Sequence, residues 1–160
     1  MGMTLRGYRR GCVLNLLLYA VMLMFLAGII YFSYLMVMRA QWRSLKNDIA
    51  DAINDSRYAS PKMYCGGNEL PFTQRDELYF SKFITDPYFI PIKAGEMEIG
   101  ERSLVISLGE SSLSFAPGGE GGIIYVRLDS PSGSKGFYVR SPVDFAHLER
   151  YFDARYKYPD

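Results

Sequence analysis

The sequence has one histidine and two cysteines, Cys12 and Cys65, too few soft ligands for a structural zinc site. Lysine and arginine number 18 against 17 aspartates and glutamates, a net charge of +1. A nucleic-acid binder needs a surplus of cations to displace counterions from phosphates, so no nucleic-acid partner is expected. The carboxylates are scattered; Glu96 and Glu98 share a strand face but have no histidine beside them. No metal and no cofactor are expected. At 160 residues the chain holds one domain with attachments.

Charge is also missing locally, because Gly11 to Met38 is a run of 28 residues without Asp, Glu, Lys or Arg. As a helix rising about 1.5 Å per residue it reaches roughly 42 Å, past a hydrocarbon core of about 30 Å. The run predicts a transmembrane anchor over 11–38 behind a basic tail at 1–10. Arg6, Arg9 and Arg10 also suit the start of a secretory signal, but the run is about twice the length of a signal's apolar core. No small-x-small site closes it, and Ile29 follows Leu26-Ala27-Gly28 where a lipoprotein signal needs cysteine. An uncleaved signal-anchor is therefore expected. Arg6, Arg9 and Arg10 nearly balance Arg39, Arg43 and Lys46 across it, and the compact arginine tail places the amino terminus in the cytoplasm. Tyr31, Phe32, Tyr34 and Trp42 would then form an aromatic belt at the outer interface. Asn15 and Ser33 lie near the ends of the run, as interfacial residues do, and Ala20, Ala27 and Gly28 make no GxxxG motif.

Residues 39–57 keep a helical period, with Trp42, Leu45, Ile49, Ala52 and Ile53 on one stripe and Lys46, Asn47, Asp48, Asp51 and Asn54 away from it. This predicts an amphipathic juxtamembrane helix in which Trp42, Leu45, Ile49 and Ile53 are the packing residues. The stripe needs a cover: the domain's own sheet, a second copy of the chain in a homodimer, or a partner's membrane-proximal helix. Residues 58–77 read as a loop or linker, since Pro61, Gly66, Gly67, Asn68 and Pro71 crowd together there.

A small α+β domain is expected over 78–160. Two-residue turns at Ala94-Gly95, Glu101-Arg102 and Gly109-Glu110 would pair Ile92 with Met97, Ile90 with Ile99, Ile99 with Leu104, Met97 with Ile106, Ile106 with Leu113 and Leu104 with Phe115. That meander puts Ile90, Ile92, Met97, Ile99, Leu104, Ile106, Leu108, Leu113 and Phe115 on one face. Residues 117–122 are glycine-rich but lack the Lys-Ser or Lys-Thr and the following helix of a phosphate loop, so they read as a hairpin connection. Two later runs share Tyr-Val-Arg. With a turn at Ser132-Gly133, Tyr125 falls opposite Arg140 and Arg127 opposite Tyr138, while Val126, Leu128, Phe137 and Val139 face the core. Tyr125, Arg127, Tyr138 and Arg140 are either a solvated face holding its own register or a partner-binding patch. A closing helix starts at Ser141 as N-cap, Pro142 and Asp144, and sets Phe145, Leu148, Phe152 and Tyr156 on the stripe that covers the sheet. His147 falls on its polar side.

About six strands closed by a carboxyl-terminal helix, Leu78 to Tyr156, resemble the bacterial pleckstrin-homology-like architecture in element order. That resemblance implies lipid binding by a domain facing the cytoplasm. A thiol enzyme would need Cys65 beside His147, the sole imidazole, and nothing in the sequence brings them together. Exported, Cys65 would be buried, capped or bridged to another chain. The expectation is a non-enzymatic, single-pass protein of the bacterial inner membrane with a periplasmic domain. It would act as a binding, accessory or assembly subunit of a cell-envelope complex, its partners the lipid bilayer and other envelope proteins. The alternatives are an immunity-type inhibitor of a toxin and the lipid-binding domain just named.

Overall fold

The computed structural model describes residues 5–55, 60–86, 88–119 and 121–158. Helix α1 (Leu5–Asp55) contributes to both of the two compact units, Met1–Val37 and Met38–Asp160. In the first unit every side chain from Val13 to Val37 is exposed except the half-buried Leu35. In the second, Met38, Trp42, Leu45, Ile49 and Ile53 are buried. Their spacing of three and four residues stacks them on one side of the helix, and the domain's own sheet covers that side. Trp42 meets Phe137 edge-on, with ring centroids 5.7 Å apart. Trp42 is therefore core and not part of an interfacial belt, because it shares the phase of Leu45 and Ile49.

The stretch expected as a loop folds instead. Strands β1 (Lys62–Cys65) and β2 (Asn68–Pro71) pair through Gly66 and Gly67, whose φ angles of +56° and +82° suit a two-residue turn open to glycine. Helix α2 (Gln74–Thr85) replaces the expected start of the meander. Its first turn is fixed by Asp76, which reaches back to accept the Thr73 N–H at 2.8 Å and the Thr73 hydroxyl at 2.7 Å.

Strands β3 (Ile90–Ala94), β4 (Leu104–Leu108), β5 (Ser111–Pro117), β6 (Ile123–Ser130) and β7 (Gly133–Arg140) complete a seven-stranded antiparallel sheet. Its order is β2-β1-β4-β5-β6-β7-β3, and α3 (Phe145–Lys157) packs on it, so the α+β expectation holds. The turn at Gly109-Glu110 pairs Ile106 with Leu113 and Leu104 with Phe115, as expected. The two earlier turns do not form. β3 pairs with β7, residues 95–103 contain no strand, and Ile90 and Ile92 are exposed. An edge strand has its second neighbour missing, so its side chains lose the cover that alternation alone suggests. The β6–β7 turn lies at Pro131-Ser132, which pairs Tyr125 with Tyr138 and Arg127 with Gly136. This is two residues from the expected register, and because strand side chains repeat every two residues the faces survive: Val126, Leu128, Phe137 and Val139 are buried.

Within Met38–Asp160, α2, α3 and the α1 residues from Met38 onward lie on one face of the sheet. Phe80 and Phe83 of α2 sit 5.5 and 5.9 Å from Phe115, Trp42 of α1 meets Phe137, and α3 lies against β5. The opposite face is crossed by residues 95–103, which must span β7, β6 and β5 to join β3 to β4. Helix α3 is capped by Asp144, which accepts the His147 N–H at 3.0 Å, not by Ser141. Ser141 instead accepts the Val143 N–H, a local turn ahead of the helix. Phe145, Leu148 and Phe152 are buried as expected, but Tyr156 is exposed and Arg155 takes the inward place.

Candidate functional site

Tyr125, Arg127, Tyr138 and Arg140 do share one sheet face, but they do different things. Tyr125 is fully buried. Its hydroxyl donates to the Gly95 carbonyl at 3.0 Å and accepts the Met97 N–H at 3.2 Å, so it clamps the crossing segment to the sheet. The ring lies over Gly136, where an added Cβ would come within 2.1 Å of the hydroxyl oxygen, so this strand position requires glycine. Tyr138 is half-buried against Tyr125, with centroids 5.0 Å apart. Arg127 is engaged by Asp129 at 2.8 Å and reaches the Ser134 hydroxyl at 3.3 Å. Burial alone would raise the Asp129 pKa; hydrogen bonds from Ser134 and Arg127 outweigh it and hold the carboxyl low. Only Arg140 of the four is exposed, and among the described residues it has no hydrogen-bond or ion-pair partner. In register it lies between Ile90 and Ile123.

Of the juxtamembrane candidates, Trp42, Leu45, Ile49 and Ile53 are all buried within Met38–Asp160. Their stripe is occupied by the domain itself. The Trp42 indole Nε1 is buried without a hydrogen-bond partner, a further sign that packing governs this residue.

Cys65 and His147 line separate cavities. Cys65 borders one of about 600 Å³ with Gly66, Gly67, Glu101, Arg102, Ser103 and Glu149; His147 borders another with Gly121, Gly122, Ser141, Asp144 and Arg150. Burial raises the Cys65 pKa, and Glu149 and Asp153 raise it further against the opposing pull of Arg102. A thiol held protonated is a poor nucleophile. Arg102 is turned to Glu149 in a two-point pair at 2.8 and 2.7 Å, which lowers the Glu149 pKa. Among the described residues no cluster of three His, Cys, Asp or Glu could hold a metal ion.

The sequence reading missed the most concentrated buried charge. Asp76 is fully buried and accepts Tyr151 Oη at 2.6 Å and Arg155 Nε at 3.1 Å in addition to Thr73. Burial pushes its pKa up, but the bonds from Arg155, Tyr151 and Thr73 together win and leave it below the ordinary carboxylate range. The phenol of Tyr151 is pushed well up, first by burial and then by donating to Asp76. Tyr79 stacks on Tyr151 with centroids 3.9 Å apart. The cluster ties α2 to α3 and leaves no open lone pair facing a cavity, so it serves the fold. Its signal in the sequence was the Thr73-x-x-Asp76 spacing ahead of Phe80, Phe83 and Ile84.

The sheet's outer edge at β3 is guarded against strand addition. Pro91 has no N–H to offer, the register shifts between Pro91 and Lys93, and Lys93 is exposed. No protein-family model, curated protein or solved structure matches the chain.

Proposed function

We propose that the chain is a single-pass inner-membrane protein that acts by binding, as an accessory or assembly subunit of a cell-envelope complex. The observation that carries this reading is the helix from Val13 to Val37, apolar on all sides and exposed throughout apart from Leu35. Water tolerates no such surface on a stable monomer, whereas a bilayer requires it. Two further features support binding over catalysis. Burial first, then Glu149 and Asp153, keep the Cys65 thiol protonated, and the buried ion cluster is saturated by its own hydrogen bonds. The amphipathic stripe is taken up by the domain's own sheet, so partner recognition falls to the remaining domain surface.

In this proposal the amino terminus is cytoplasmic and the domain lies outside. Full-length protein should stay in the membrane fraction through alkaline carbonate washing. With the native cysteines replaced, Ser132→Cys should react with an impermeant maleimide in intact cells, and Thr4→Cys only after lysis. Release by carbonate overturns the anchor; the opposite labelling pattern overturns the orientation and brings the cytoplasmic alternative forward.

A further inference from the structure

We propose that the end of the domain beside Met38 is a membrane-surface contact, taking the anionic lipid headgroups of the leaflet from which the domain emerges. The inference rests on the anchor reading and adds to it a named surface and a ligand class.

Position comes first. Within Met38–Asp160, α1 runs antiparallel to β7: Lys135 Nζ reaches Asp48 at 2.5 Å and Ser44 at 3.5 Å, and further along β7 the Phe137 ring meets Trp42. Four more helical residues carry the chain about 6 Å from Trp42 to Met38. Three more strand residues carry β7 about 10 Å from Phe137 to Arg140, toward the same end. β3 places Ile90 beside Arg140, and Tyr88 lies just before it. Met38 is the last residue of the uncharged run, so covalent connection keeps this end within roughly 15 Å of the hydrocarbon boundary.

Composition comes second. Tyr88, Ile90 and Ile92 are 73%, 54% and 37% exposed, an apolar group that the sheet does not cover. Arg140 stands among them, exposed and without a partner among the described residues, and Arg39 and Arg43 are exposed on the helix at this end. Of the carboxylates near this end, Asp86 accepts the Tyr88 N–H at 2.8 Å, and Asp144 accepts the His147 N–H at 3.0 Å and pairs with Arg150 at 3.9 Å. Aromatic and aliphatic side chains mixed with arginine fit the boundary between acyl chains and phosphates, where the rings enter and the cations stay with the headgroups. The guarded β3 edge removes the chief protein alternative, a strand added by a partner.

The test uses full-length protein with both native cysteines replaced by serine, in lipid nanodiscs of phosphatidylcholine with and without phosphatidylglycerol. A polarity-sensitive fluorophore is placed at Tyr88→Cys or, at the opposite end of the sheet, at Ser132→Cys. The less polar surroundings should blue-shift the probe at position 88 and nitroxide-headgroup lipid should quench it, while the one at 132 stays as in water. Arg140→Gln should lower the ratio of docked to undocked domain about fivefold in the anionic discs, the contribution of one cation at such a surface. Equal quenching at the two positions in protein retained by the discs overturns the contact alone. Quenching at 88 that ignores both phosphatidylglycerol and Arg140→Gln overturns the anionic ligand. Protein that does not stay with the discs overturns the anchor, and the contact falls with it.

Discussion

Leu17 and Leu45 belong to one helix and are the same residue, yet Leu17 is 60% exposed and Leu45 is fully buried. From Gly11 to Val37 the helix is apolar on every side; from Met38 to Asp55 it is apolar on one side only. The first pattern leaves no polar face for water, and the second leaves one that water can keep. Helical propensity is comparable in both stretches, so the distribution of apolar residues around the axis, not their number, assigns each part its solvent.

That comparison can be pressed by mutation, beginning inside the domain. Asp76→Asn leaves Arg155 buried beside a neutral amide and should cost about 3–5 kcal/mol in urea unfolding, because one half of a buried pair is removed. Leu45→Ala should cost about 2–5 kcal/mol by opening a cavity, while Leu17→Ala leaves domain unfolding unchanged and affects only membrane insertion. Equal effects of the two leucine changes on unfolding would erase the distinction drawn above. Tyr125→Phe should cost about 1–3 kcal/mol, since it strips the Gly95 carbonyl and Met97 N–H of their shared partner. Hydrogen exchange over residues 95–103 should rise in the same variant.

Acid provides a finer probe. The folded-state pKa of Asp76 is depressed, so its stabilisation is complete above about pH 4 and is lost as pH falls through the lower folded value. Asp129 and Glu149 are depressed as well and add in the same direction. Unfolding free energy should therefore fall on acidification, and Asp76→Asn should flatten the slope. The smallest effect is expected at Cys65→Ser, which should leave both stability and the binding role near wild type; loss of function at unchanged stability would revive the thiol enzyme.

What could be read from sequence was what is written locally. The long apolar helix follows from an unbroken uncharged run, and the Leu45 stripe, the Gly109 turn and the core faces of β4 to β7 follow from periods of 3.6 or 2 within a few residues. The patch Tyr125, Arg127, Tyr138 and Arg140 was placed on one face correctly, yet its members' roles depend on the segment laid across Tyr125, which no local pattern announces. The β3–β7 pairing joins residues some fifty positions apart, and the nearer hairpin that alternation suggested had no such competitor to reckon with. The β1–β2 hairpin and α2 were legible in principle, through Gly66-Gly67 between Met63 and Leu70 and through Thr73 and Asp76. The density of Pro and Gly obscured them.

The route from β3 to β4 also dictates an order of assembly. β4 to β7 are joined by consecutive hairpins and can form as each strand is synthesised, but β3 must wait for β7, the last strand made, before it has a neighbour. The stripe of Trp42, Leu45 and Ile49 leaves the ribosome earlier still, and Trp42 has no Phe137 ring to meet until that same strand arrives. Closure of the sheet edge and the meeting of Trp42 with Phe137 thus converge on the completion of β7. A nascent chain stalled before Gly133 would hold its long apolar helix complete with the domain still open.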